Sequence, residues 1–214
     1  SGVPGRYYRE LKDFTAKAKP LMKEVRGALP KAQVGIVFSY DQSYALSIQP
    51  QHPKLRYVDH IMVYSDAFFK RNIPVDFISA EADFSQYDLI LAPLQYVMTP
   101  ALELKYKDYV SAGGKLVLTM RTGVKDEQNI CMSASPLPGG LSDLLGIKVP
   151  EYDCLVDSSV EILWGSSRLT GEKWSDLIER NGAESLADYG SEFYKGTPVV
   201  TQNGYGAGTA YYVG

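Results

Sequence analysis

The chain has 214 residues and a formal net charge of −3, with 45% apolar and 22% charged residues. That suits a globular domain and lacks the basic stripe of a nucleic-acid surface. No apolar run reaches the roughly 18 residues of a membrane-spanning helix, so neither nucleic acid nor membrane is an expected partner.

Two cysteines, Cys131 and Cys154, and two histidines, His52 and His60, complete the short list of soft ligands and nucleophiles. Neither pair has the spacing of a zinc site. We expect free thiols in a reducing cytoplasm, no metal and no cofactor.

Tyr7, Leu11, Phe14, Ala18, Leu21, Met22 and Val25 recur at helical spacing, which predicts an amphipathic helix over 6–28. Pro20 is expected to kink or split it. Gln33 to Phe38 is a continuous apolar run, the mark of a strand buried on both faces. A polar loop, SYDQSYALSIQPQHP, is expected next, then a helix over 55–70 and a strand over 75–78. Leu89 to Ala92 is a third strand. Thr99 and Pro100 open a helix that Gly113-Gly114 close, and Leu116 to Met120 is a fourth strand.

This alternation predicts a single α/β domain over 1–214. The expected form is a flavodoxin-like or amidotransferase-like three-layer sandwich with a mainly parallel central sheet. Residues 121–157 read as a long loop with one short helix near Leu141 to Leu145. Strands are expected over 160–164, 183–189, 199–202 and 209–213, with a short helix over 174–180. GYGAG near residue 206 lies between two strand patterns and reads as a hairpin turn, not a nucleotide loop.

In an open α/β sheet, ligands gather at the carboxyl ends of the strands. The turn after Leu116 to Met120, where an amidotransferase would carry its cysteine, holds Arg121, Thr122 and Gly123. Both histidines lie upstream of it, so the nucleophile–base pair is missing. The loop after the first strand has no glycine to cradle a phosphate, and Asp41 would repel one. Asp41 also stands without the acidic neighbours of a phosphoacceptor site. Glu81, Asp83, Asp88, Asp126 and Glu127 do not form a recognisable acid/base pair for glycoside cleavage. No catalytic residue is assigned. The candidate contact residues are Asp41, Tyr44, Tyr96, Arg121, Thr122, Gly123, Asp126 and Asn129, since tyrosine and arginine favour interface cores. The plainer alternative for Arg121 is a local ion pair with Asp126 or Glu127.

Several blocks, in order, resemble a known family: YYRELKDF, VGIVFSYDQSYALSIQP, YDLILAP, YVSAGGKLVLTMRTGVKDEQN, PLPGGLSDLLGIKVPEYD and GTPVVTQNGYGAGTAYYVG. Together they resemble the middle domain of the glycoside hydrolase family 42 β-galactosidases. The pair Tyr44-Ala45 departs from the family pattern, which has Trp before the Ala. The resemblance implies an amidotransferase-like fold, a homotrimer made by this domain, and a preceding TIM barrel that carries both catalytic glutamates. VPGRYYREL would be the exit from that barrel, and the chain alone would be non-catalytic. Two rivals remain open: a sugar-binding or regulatory domain, and a stand-alone amidotransferase-like enzyme of unusual chemistry.

Overall fold

The computed structural model describes residues 2–132 and 136–214. The chain forms two compact units, 1–31 and 32–214. In the first unit, helix α1 (Arg6–Glu24) runs unbroken through Pro20, so the expected split does not occur. No residue of α1 is buried, and its apolar side chains Tyr7, Leu11, Phe14, Leu21 and Met22 are exposed.

The second unit is built on one nine-stranded sheet, ordered β2-β1-β3-β4-β9-β8-β7-β5-β6. Its first strands are β1 (Val34–Val37), β2 (Val75–Ile78), β3 (Leu89–Ala92) and β4 (Lys115–Thr119). Each buried run of the sequence became one of them. All four residues of β1 are buried, whereas β2 stands at the edge and exposes its middle residues. A side chain at Gly35 would meet Ile78 and Ile90 of both neighbouring strands within 3 Å, so only glycine lets them close on β1.

Helices α2 (Tyr40–Ile48) and α3 (Tyr57–Phe69) pack Ala45, Leu46, Tyr57 and Ile61 on one face of these strands, against Val34, Ile36 and Leu91. Helices α4 (Pro100–Ser111) and α5 (Ser142–Leu145) pack Tyr106, Val110, Leu144 and Leu145 on the other, against Ile90, Leu116 and Leu118. Thr99 caps α4 by accepting the Leu102 amide, and Pro100 follows, as the sequence foretold. At its far end the Gly113 and Gly114 amides return to Val110 and Tyr109.

The remaining strands are β5 (Ile147–Trp164), β6 (Ser167–Arg180), β7 (Glu184–Tyr189), β8 (Pro198–Tyr205) and β9 (Gly208–Val213). They correct the expected mainly parallel sheet. Pairing is parallel from β2 across to β9, then antiparallel through β8, β7, β5 and β6, whose strands are longer. The sheet is mixed, and its antiparallel ladders hold most of the pairing. The physical reason is that strand–helix alternation stops at residue 120. After it come hairpins, which join antiparallel strands through tight turns.

Three local expectations change with it. The loop after β1 is helical over Tyr40–Ile48, with Ser39 Oγ accepting the Asp41 amide as its cap. The helix expected over 174–180 belongs to β6, where pairing with β5 overrides the helical spacing of Trp174, Leu177 and Ile178. The long loop of 121–157 ends early, because β5 begins at Ile147; residues 133–135 of that loop lie outside the described residues. The short helix before Gly146 and the turn at Gly206 are present as expected. Strand β9 is the joint of the domain: it pairs with β4 on one side and β8 on the other.

Candidate functional site

The strand-end loops meet around Arg121. Its backbone lies in the left-handed region, with φ of 62°. For a side-chain-bearing residue that conformation is strained and persists only where the surroundings fix it. Here the fixing group is the Asp176 carboxylate on β6, which accepts the Arg121 amide at 2.9 Å. The same carboxylate accepts Trp174 Nε1 at 2.8 Å and Tyr212 Oη at 2.6 Å. Tyr189 Oη donates to the Asp176 carbonyl. Asp176 therefore ties β4, β6, β7 and β9 together from inside. Burial, and after it the Asp176 charge, raise the Tyr212 phenol well above its ordinary pKa.

The Arg121 side chain turns inward as well. It is 3% exposed, with its guanidinium carbon 4.2 Å from the centre of the Trp174 ring and 5.0 Å from that of Tyr96. Its Nη1 donates to Gln51 Oε1 at 2.7 Å. The alternative ion pair with Asp126 or Glu127 is not made; aromatic faces and one amide hold the cation instead. Tyr152 stacks on the outer side of Trp174, with ring centres 4.6 Å apart. A single stack thus runs Tyr152, Trp174, Arg121, Tyr96, from the surface inward.

The other candidate residues fall into two groups. Asp41 and Tyr44 stand exposed on α2. Tyr96 and Thr122 are fully buried, and Thr122 Oγ1 donates to the Thr119 carbonyl. Gly123 is buried at a φ of 73° and its amide donates to Gln95 O. Asp126 caps its own turn by accepting the Gln128 and Ile130 amides. Asn129 adopts a φ of 60° in that turn, and its Oδ1 is shielded from solvent with no partner.

Sequence reading missed Gln51, Trp174 and Asp176, and it gave Gln42 no role of its own. Gln42 clamps the peptide of Val97 from both sides, donating to its carbonyl at 2.8 Å and accepting its amide at 2.7 Å. Trp174 and Asp176 carry a signal that was available: they alternate at the period of two that marks one face of a strand. Among the described residues, no three His, Cys, Asp or Glu side chains gather as a metal-ligand group. No described helix is long and apolar enough to cross a membrane. Cys131 and Cys154 are free thiols.

His60 on α3 offers a direct test of the packing between that helix and β6. Its Nε2 is buried without a partner, and burial, helped by the nearby Lys173 cation, lowers its pKa to about 4. Between about pH 6.5 and pH 4 the unfolded chain therefore binds a proton that the folded chain refuses. Stability should be complete above that window and fall as pH drops through it, by an amount on the order of 2 kcal/mol. Urea melts at pH 7 and pH 4.5 should show a smaller acid loss for His60→Phe than for the parent sequence. An equal loss in both would remove His60 from the account.

Known proteins match this chain in sequence and in fold. The family described as the β-galactosidase trimerisation domain matches residues 32–214, and the chain belongs to it. β-Galactosidase LacZ of Lactobacillus acidophilus is 38% identical over 212 residues, covering 98% of this chain and 32% of that protein. β-Galactosidase BgaB of a Geobacillus strain is 34% identical over 214 residues, covering 98% of the chain and 31% of that protein. The solved β-galactosidase of Bacillus circulans sp. alkalophilus superposes with a TM-score of 0.90 at 31% identity, again over 98% of this chain and 32% of that one. The chain therefore spans about a third of the length of these relatives.

Proposed function

We propose that the chain is the trimer-forming domain of a longer bacterial β-galactosidase of glycoside hydrolase family 42, and that it carries none of the catalytic residues. The observation that carries this reading is the family match over 32–214, together with relatives that extend over about three times the chain's length. The parent enzyme would remove terminal β-galactosides with retention, through an acid/base glutamate and a nucleophile glutamate in a TIM barrel outside this chain. Helix α1 would belong to the exit from that barrel. Its exposed apolar face and its position before the family match support that assignment. The free thiols fit a reducing cytoplasm.

In this reading the strand-end loops make contact between copies. Asp41 and Tyr44 reach the surface, and Tyr40 stacks beside Tyr44 there. Tyr96, Arg121, Thr122 and Gly123 hold the loops from beneath, while Asp126 and Asn129 shape the turn beside them. The five parallel strands, in the order β2-β1-β3-β4-β9, would be the remnant of an amidotransferase-like core, with Arg121 at the elbow where such an enzyme keeps its nucleophile.

A chromogenic β-galactoside should be turned over by the full-length parent and left intact by the 214-residue chain. Turnover by the purified chain that disappears on changing one of its own carboxylates would overturn the reading.

A further inference from the structure

Helix α3 is apolar nearly all the way round: only Asp59 and Asp66 carry a formal charge along it. Its inner side is in use. Tyr57 and Ile61 are buried against β1 and β3, with Tyr64 and Phe68 packed beside them. Its outer side is not. Val58, Met62 and Phe69 recur at i, i+4 and i+11, a single stripe of the helix, and all three face solvent, Phe69 at 80% exposure. The edge strand β2, which α3 leads into and packs beside, adds the half-exposed Phe77. Val75 joins the apolar cluster under α3, and Phe77, two residues on, lies on that same side of the sheet. A helix apolar all round belongs in an interior, and a large exposed apolar patch marks a contact surface. We propose that this face, the outer stripe of α3 with Phe77 of β2, is where the next copy of the chain seats its α2 and strand-end loops.

The inference rests on the reading of the chain as a trimer-forming domain, and symmetry carries it further. Three copies that close a ring meet through heterologous contacts, so each copy presents two different faces, one to each neighbour. The strand-end face supplies one. Tyr40, Tyr44 and Ile48 recur every four residues along α2 and are all exposed, as is Ile130 in the turn that Asp126 caps. The second face has to lie elsewhere, because a patch that met its own copy would make a two-fold dimer and not a ring. The α3 face answers the first in character and in charge. Each is an apolar ridge on a helix. Asp41 and Glu127 stand exposed on the α2 side, and Lys70 and Arg71 stand exposed next to Phe69. Among the described residues none of these four makes an ion pair within the chain. Arg71 only donates to the Ala67 carbonyl of its own helix. Carboxylates at one face and cations at the other decide which face meets which.

The test is made in the full-length parent, with mass read by light scattering across dilution. Phe69→Glu and Tyr44→Glu, both at exposed positions, should each weaken assembly about thirtyfold or more. Neither should change the melting temperature of the 214-residue chain. Mixing the two variants is the sharper readout. Each keeps the face that the other has lost, so one sound contact can form. The mixture should give a dimer of one copy of each, whereas neither variant alone should assemble. A parent that is not a trimer before any change would defeat the reading on which the inference rests. A trimer untouched by Phe69→Glu, or mixed variants that stay apart, would overturn the inference alone. So would a Phe69→Glu parent that stays trimeric but melts at a lower temperature, since another part of the same chain would then cover α3.

Discussion

Asp176→Ala is expected to destabilise the domain by about 4 kcal/mol or more, a large part of the roughly 5–15 kcal/mol that holds a typical domain folded. The change strips three buried donors of their acceptor: the Arg121 amide, Trp174 Nε1 and Tyr212 Oη. Each buried donor left without its acceptor costs about 1–3 kcal/mol. Asp176→Asn retains one acceptor but turns an N–H group toward a donor, so its cost should be intermediate. Urea denaturation with an unchanged m-value is the measurement. A loss below about 1 kcal/mol for the alanine variant would mean that β4, β6 and β9 are not joined through this carboxylate.

Arg121→Ala is the second large effect, and it is expected to reach from the fold to the assembly. The substitution removes a cation held between two rings and its bond to Gln51, and leaves a hole in the middle of the stack. A loss of about 3 kcal/mol is expected from the cavity and the lost contacts. Backbone strain separates two variants. Glycine accepts the φ of 62° at no steric cost, whereas alanine costs about 1 kcal/mol there. Arg121→Gly should therefore be the more stable of the two despite its smaller side chain. In the full-length enzyme, a loosened loop should weaken assembly by dilution, with activity restored at high protein concentration. Light scattering and kinetics read both at once. An intact trimer whose kcat is greatly reduced at every concentration would place the loop in the active site instead.

Sequence reading reached furthest where local chemistry decides. The apolar runs of β1, β3 and β4 were legible because burial on both faces leaves no polar position. The ends of α4 were legible because Thr99-Pro100 and Gly113-Gly114 act within one turn of themselves. Reading failed where distant partners decide. Residues 40–48 carry a weakly amphipathic polar pattern, yet α2 forms because Gln42 clamps Val97 and Ala45 and Leu46 are covered by the sheet. Trp174, Leu177 and Ile178 mimic helical spacing, yet β5 takes them as a strand. Arg121 illustrates the same limit within the site. The sequence marks the strand-end turn as special, but its partners Gln51, Trp174 and Asp176 lie about 50 to 70 residues away, and only the fold brings them together. The expected surface arginine is a buried brace.

The central claim is that residues 32–214 are where copies of the parent enzyme meet. Hydrogen exchange of this region, compared between the 214-residue chain and the full-length enzyme, tests it most directly when the mass is measured in parallel by light scattering. The account predicts a mass of three copies for the full-length enzyme, and slowed exchange within 32–214 that is lost as dilution separates the copies. A stable assembly in which exchange throughout 32–214 matches that of the separate copies would contradict it.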